Sequence, residues 1–168
     1  MSKLFFPILT FIFVIYSSLV SAQPAPELTL LGLDGQKHSI NEYIGKNKWV
    51  IVNIWGPKCP PCVAEMPELQ SFHDAHKDTN AIVVGIALDY PGFGPAIEED
   101  VRNFAEDNFI NFPLLLGDAK SIEHLGGGSL AGTPTTLLFD PSGKLDAMQV
   151  GQITQQLIED YLAKTTQK

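Results

Sequence analysis

Trp49-Val-Ile-Val-Asn-Ile-Trp-Gly-Pro-Lys-Cys-Pro-Pro-Cys62 is the stretch on which the reading of this chain turns. Trp49 to Ile54 is a near-continuous run of apolar and β-branched residues, the pattern of a strand covered on both faces. Beyond Pro60, Val63, Met66, Leu69 and Phe72 recur every three residues, while Glu65, Glu68 and Asp74 fall between them. That spacing predicts an amphipathic helix to about His76, kinked at Pro67. A central strand thus ends, the chain turns, and a cysteine stands at the head of a helix.

The position matters because first-turn amides of a helix lack intrahelical partners and the helix dipole is positive there. A thiolate on Cys59 is favoured over the thiol. Cysteines at such helix starts titrate at roughly 3.5 to 7.5, against about 8.5 for a free cysteine. Lys58 adds a positive charge in the same direction, and Pro60 suits a first turn in which its missing N–H costs nothing. Cys62, about one turn further in, is expected to be more deeply buried and to act as the resolving thiol. Exchange through a mixed disulfide needs such a pair.

Working outward, Asp34-Gly35 between Leu28–Leu31 and Lys37–Ile40 signals an opening hairpin. Ser39 and Glu42 have capping-box spacing for a short turn over Ile40 to Ile44. Ala81–Leu88 reads as a second buried strand, and Ile97, Val101, Phe104 and Ala105 mark a helix from about Ala96 to Asn108. Alternation of strand and helix implies a parallel pair. The turn-rich stretch 89–95 is an expected exposed loop, and Phe112–Leu116 a short strand. Asp118 is a candidate N-cap for a turn through His124. Gly126–Gly128 breaks the chain before a hairpin of Thr135–Phe139 and Lys144–Val150. Thr154 then caps a last helix carrying Leu157, Ile158, Tyr161 and Leu162.

The chain has 168 residues, 45% hydrophobic and 18% charged, the balance of a folded domain. Its first residues stand apart. Lys3 is the only charge before an apolar run from Leu4 to Val20, and Val20-Ser21-Ala22 has the small residues of a cleavage site. Residues 1–22 read as a secretory signal and 23–168 as one domain. The alternative is an uncleaved membrane anchor, because the run sits at the lower edge of spanning length. Net charge is −8, and loss of Lys3 leaves 10 basic against 19 acidic residues. That balance argues against nucleic acid and anionic membrane surfaces as partners.

An export signal implies an oxidising compartment, yet the chain has only two cysteines, both in one C-x-x-C. A bridge across two residues closes too short a loop to staple the fold, so its placement speaks for reactivity. Two metal readings compete. Cys59, Cys62, His73 and His76 approach zinc-finger spacing but are short in both gaps. A copper-binding module would use both cysteines and a distant histidine such as His124. The plainer reading makes His73, His76 and His124 partly exposed surface residues. No metal and no bound cofactor is expected.

The stretch Val50 to Leu69, Val-Ile-Val-Asn-Ile-Trp-Gly-Pro-Lys-Cys-Pro-Pro-Cys-Val-Ala-Glu-Met-Pro-Glu-Leu, resembles the TlpA/ResA-like branch of thioredoxin-fold proteins, exported disulfide reductases. The likeness extends over nearly all of residues 23–168. It takes in the opening hairpin, the helix of 96–108 as that branch's central insertion, and Gly132-Thr-Pro-Thr-Thr-Leu-Leu-Phe139 as the late strand. The resemblance implies a three-layer α/β thioredoxin-like fold with an N-terminal β-hairpin extension and a central helical insertion. It implies a redox-active Cys59–Cys62 disulfide and a cis Thr133–Pro134 bond facing it, with Thr133, Pro134 and Trp55 as substrate-binding residues.

Two departures qualify it. Asn53 stands where thioredoxins carry a buried aspartate, so Glu65, three residues beyond Cys62, becomes the candidate proton acceptor, provided burial raises its pKa. A solvated carboxylate is the competing reading of Glu65. Lys58 replaces a tryptophan common among relatives, which bears on substrate preference. The expected activity is disulfide reduction in protein substrates in the periplasm, in cytochrome c maturation, by a monomer fed from a membrane-bound electron donor. Alternatives are a disulfide oxidase or isomerase. A thiol peroxidase would use a lone cysteine in a different context.

Overall fold

The computed structural model describes residues 27–166. The expected signal or anchor, residues 1–22, lies outside them. Among the described residues no helix is long and apolar enough to cross a membrane.

The opening hairpin forms as expected, β1 (Thr29–Gly32) with β2 (Lys37–Ser39), turning at Gly35 with φ +77°. The capping box is present: Ser39 accepts from the Asn41 amide and Glu42 from the Ser39 amide around a 3-10 turn, Ile40–Glu42. β3 (Trp49–Trp55) leads into α1 (Pro60–His76), which continues through Pro67. β4 (Ala81–Ala87), α2 (Glu98–Asp107) and β5 (Leu114–Leu116) follow. Then come α3 (Ala119–Ile122), a wide turn Glu123–Gly127, the hairpin β6 (Thr135–Phe139) and β7 (Leu145–Val150), and α4 (Gln155–Thr166).

The strands make one sheet in the order β2-β1-β5-β4-β3-β6-β7. β3, β4 and β5 are parallel, and β6 lies antiparallel to β3. Side chains of a strand alternate between faces, and β3 divides accordingly. Ile51 and Trp55 join the core under α1, α2 and α4, with Met66, Leu69, Phe72, Val101, Ile158 and Leu162. Val50, Val52 and Ile54 pack on the other side with Ile40, Ile44, Ile122 and Leu125. The second covering layer is therefore built of short pieces.

Three expectations need correction. His73 is not at the surface: it is buried on α1, and its Nδ1 accepts the Val83 amide at 3.1 Å. The Gly85 amide goes to Pro113 O, so the Val83 amide points the same way but falls short of β5, and His73 takes the missing strand's place. Leu157, read as one of the apolar residues of an amphipathic last helix, is 49% exposed. Val63, at the start of the α1 stripe, is only half-buried.

Candidate active site

Parallel strand ends and the helix starts after them meet at one edge of a sheet of this kind, and the cysteine pair lies there. Cys59 is the N-cap residue of α1, with extended backbone at φ −93° and ψ 107°. Its amide donates to Gly56 O at 3.1 Å and its carbonyl accepts from Val63 N at 3.0 Å. Gly56 is required by space: a Cβ there would stand 2.9 Å from Leu88 O and 3.2 Å from Tyr90 Cβ. Pro60 and Pro61 fill the first helical positions, so between Cys59 and Val63 the only amide N–H belongs to Cys62. The helix start offers the sulfur fewer donors than an ordinary first turn.

Cys59 and Cys62 form a disulfide, S–S 2.11 Å, with Cα atoms 5.2 Å apart. Both are fully buried, so the expected contrast in depth between them is absent in this oxidised form. The cover over Cys59 is the loop before β6. Thr133 Oγ1 donates to Cys59 Sγ at 3.4 Å, and Thr133 O lies 3.7 Å from the same sulfur. The Thr133–Pro134 bond is cis. Gly151 N donates to Pro134 O at 2.8 Å, and Thr135 Oγ1 to Gly132 O at 2.7 Å. Trp55 is buried beneath, its ring tilted against Phe104 with centroids 5.0 Å apart.

Glu65 is 2% exposed, which removes the solvated reading. Its Oε1 accepts from Asn53 Nδ2 and its Oε2 from Ile153 N, both at 2.8 Å. Burial pushes its carboxyl above the ordinary range, partly opposed by the Ile153 amide and then Asn53, which favour the charged form. Lys58 differs from expectation. Its Nζ donates to Asp100 Oδ2 on α2 at 2.5 Å, so its charge is directed to a carboxylate.

The residues of the metal readings are not gathered. The two ring nitrogens of His76 meet Asn80 and Glu159, and His124 is exposed. Among the described residues no three His, Cys, Asp or Glu side chains are placed to hold a metal ion.

A buried Cys-x-x-Cys disulfide at the head of a helix, opposite a cis-proline loop, is a centre for thiol–disulfide exchange. A family model described as AhpC/TSA family matches residues 21–148. The chain belongs to the AhpC/TSA family. It is 29% identical over 142 residues to the thiol-disulfide oxidoreductase ResA of Bacillus cereus, covering 84% of this chain and 76% of that one. It is 31% identical to the thioredoxin-like protein YneN of Bacillus subtilis, over 83% and 77% of the two chains. The crystal structure of a DsbF homologue from Corynebacterium diphtheriae superposes with a TM-score of 0.72 at 29% identity, covering 84% and 85%. This AhpC/TSA-family chain has the thioredoxin-like fold and is a thiol–disulfide oxidoreductase of the ResA/thioredoxin type, with Cys59 and Cys62 as its redox pair.

Several groups around the site carried no sequence signal. Thr136 reaches Asn53, Ile153 reaches Glu65, and Gln152 Nε2 donates to Pro61 O at 3.1 Å. They come from 83 to 91 residues away in the chain, and no local motif marks them. A second cis bond, Tyr90–Pro91, lies in the loop expected from the Pro and Gly content of 89–95.

Proposed function

We propose that the protein is an exported disulfide reductase for protein substrates, with Cys59 attacking and Cys62 resolving. The carrying observation is the Pro60-Pro61 pair. A reduced centre is favoured by whatever stabilises its thiolate, and two prolines withhold two amides from Cys59. A less stabilised reduced form is a stronger reductant.

In one cycle the Cys59 thiolate attacks a substrate disulfide and expels one substrate thiolate. Cys62 gives its proton to the Glu65 carboxylate, attacks Cys59 Sγ and releases the second substrate thiolate. The substrate gains two electrons, and the protein is left as the Cys59–Cys62 disulfide. Glu65 is suited to the proton step by its raised pKa and by lying one turn from Cys62 on the same helix face. Thr133 and Pro134 frame the place where an extended substrate chain lies, and Trp55 supports it from beneath.

In this reading residues 1–22 direct export to the periplasm and 23–168 act as one monomeric domain. A membrane-bound donor returns the electrons, and the targets belong to cytochrome c maturation. A second reading, a disulfide oxidase or isomerase, is favoured by the Thr133 hydroxyl, which already donates to Cys59 Sγ in the disulfide and is placed to do the same for a thiolate.

Equilibration with dithiol buffers separates the two. A potential near thioredoxin's, about −270 mV, is expected, and a value near that of dedicated oxidants, about −120 mV, would overturn the reductase reading. Cys62→Ala strands mixed disulfides on Cys59, so substrates captured in the exported compartment test the pathway.

A further inference from the structure

A buried polar chain links Glu65, one turn past Cys62 on α1, to β3, β6 and the linker before α4. Asn53 is fully buried on β3, opposite Thr136 of β6 in the strand register. Its Nδ2 donates to Glu65 Oε1 at 2.8 Å and to Thr136 Oγ1 at 3.1 Å. Glu65 Oε2 takes the Ile153 amide from the linker before α4. Asn53 Oδ1 is buried, and no donor among the described residues reaches it. A buried amide with both hydrogens used and its oxygen idle has a second arrangement available.

We infer that Asn53 is a positioning residue for the Glu65 proton step, because either end of its side-chain amide can meet the Glu65 carboxyl in place. This rests on the proton role proposed for Glu65. With Glu65 ionised, Nδ2 donates to Oε1, as observed. When Cys62 passes its proton to Glu65 Oε1, that oxygen becomes a donor. A half-turn of the amide then presents Oδ1, which accepts from Glu65 Oε1–H and from the Thr136 hydroxyl. Ile153 N donates to Oε2 in both arrangements. The S–H bond of Cys62 breaks, the O–H bond of Glu65 forms, and the only heavy atoms that move are the Asn53 amide nitrogen and oxygen, which exchange places. An aspartate at position 53 would lack the donor that the ionised form needs.

The groups facing Glu65 make this chain readable. β3 and β6 contribute Asn53 and Thr136, the linker contributes the Ile153 amide, and none of these titrates. On α1 itself Cys62 lies one turn before Glu65, and Glu68, one turn after, accepts the Gln155 amide at 3.0 Å. Burial and the two hydrogen bonds are what move the Glu65 carboxyl, and loss of the Asn53 donor moves it further up.

The test is the pH profile of disulfide exchange with a small aromatic disulfide, measured for the wild type, Asn53→Leu, Glu65→Gln and the double variant. Asn53→Leu removes a charge-assisted bond from the ionised carboxylate and a weaker neutral one from the protonated acid, so the acid limb is expected to move upward, by up to about one pH unit. In the Glu65→Gln background the same substitution is expected to move nothing. An unchanged limb in folded Asn53→Leu overturns the inference, and so does a shift that persists without Glu65. If Asn53→Leu does not fold, the smaller and equally uncharged Asn53→Ala decides by the same criterion: an upward shift supports the inference and an unmoved limb overturns it. Failure of the Glu65 role looks different, since the acid limb of wild type would then survive unchanged in Glu65→Gln.

Discussion

Thr133 holds Cys59 by its side chain: the hydroxyl donates to Sγ at 3.4 Å from the residue that precedes the cis proline. The contact spans 74 residues of sequence and joins the two sides of the exchange centre. Thr133→Val keeps the shape and removes the donor. The Cys59 thiolate loses one hydrogen bond, and its pKa is expected to rise by up to about one unit. Thiolate absorbance followed against pH checks it, and an unchanged titration would show that the hydroxyl plays no part in the reduced form.

Pro61→Ala works in the opposite sense. It restores an amide N–H in the first turn of α1, where the dipole and the open donors favour an anion. The reduced form gains, and the reduction potential is expected to become less negative by roughly 30 mV or more. Equilibration against glutathione or dithiothreitol gives the number. A potential that stays put would remove the argument from the prolines.

His73 should make stability fall in mild acid. Burial holds its pKa below the ordinary value of 6.5, because Nδ1 must stay unprotonated to accept the Val83 amide. The unfolded chain takes up the proton at a higher pH than the folded one. The contribution is therefore present above about pH 6.5 and lost as pH falls through the folded-state value. Denaturant midpoints at pH 7.5 and 5.5 are expected to diverge in wild type and to draw together in His73→Leu. At pH 7.5 that variant should also lose about 1–3 kcal/mol, from a buried amide left unpaired. Equal pH slopes in the two proteins would refute the assignment.

Gly56→Ala should damage both stability and exchange. The added Cβ would stand 2.9 Å from the carbonyl of Leu88, a residue just past β4 whose amide is held by Trp55 O at 2.9 Å. Overpacking of this kind costs about 1–3 kcal/mol. The turn that shifts also carries the Gly56 carbonyl, which accepts the Cys59 amide. Urea unfolding and steady-state exchange rates are expected to worsen together, whereas full activity with normal stability would mean that the turn yields freely.

The elements that could be read directly are those whose pattern is local. β3 and β4 announce themselves because a strand buried on both faces has few residues that are not apolar, and Ser39 with Glu42 marks a cap over four residues. The same locality explains the misses. His73 looks like a surface residue on its helix, and only the place where β5 begins leaves an amide of β4 for it to cover. Lys58 looks like a charge aimed at Cys59 until α2 brings Asp100 beside it.

Residues 49–62 alone were enough to establish a buried strand, a turn and a reactive pair at a helix head, because periodicity and helix-end chemistry act over a few residues. The environment of that pair was settled by folding. Burial of Glu65, its Asn53 and Ile153 partners, and the Thr133 cover over Cys59 all join segments that are from 12 to 88 residues apart. Desolvation and hydrogen bonding depend on which groups the sheet brings within about 3 Å of one another, and no stretch of the chain read in isolation carries that distance.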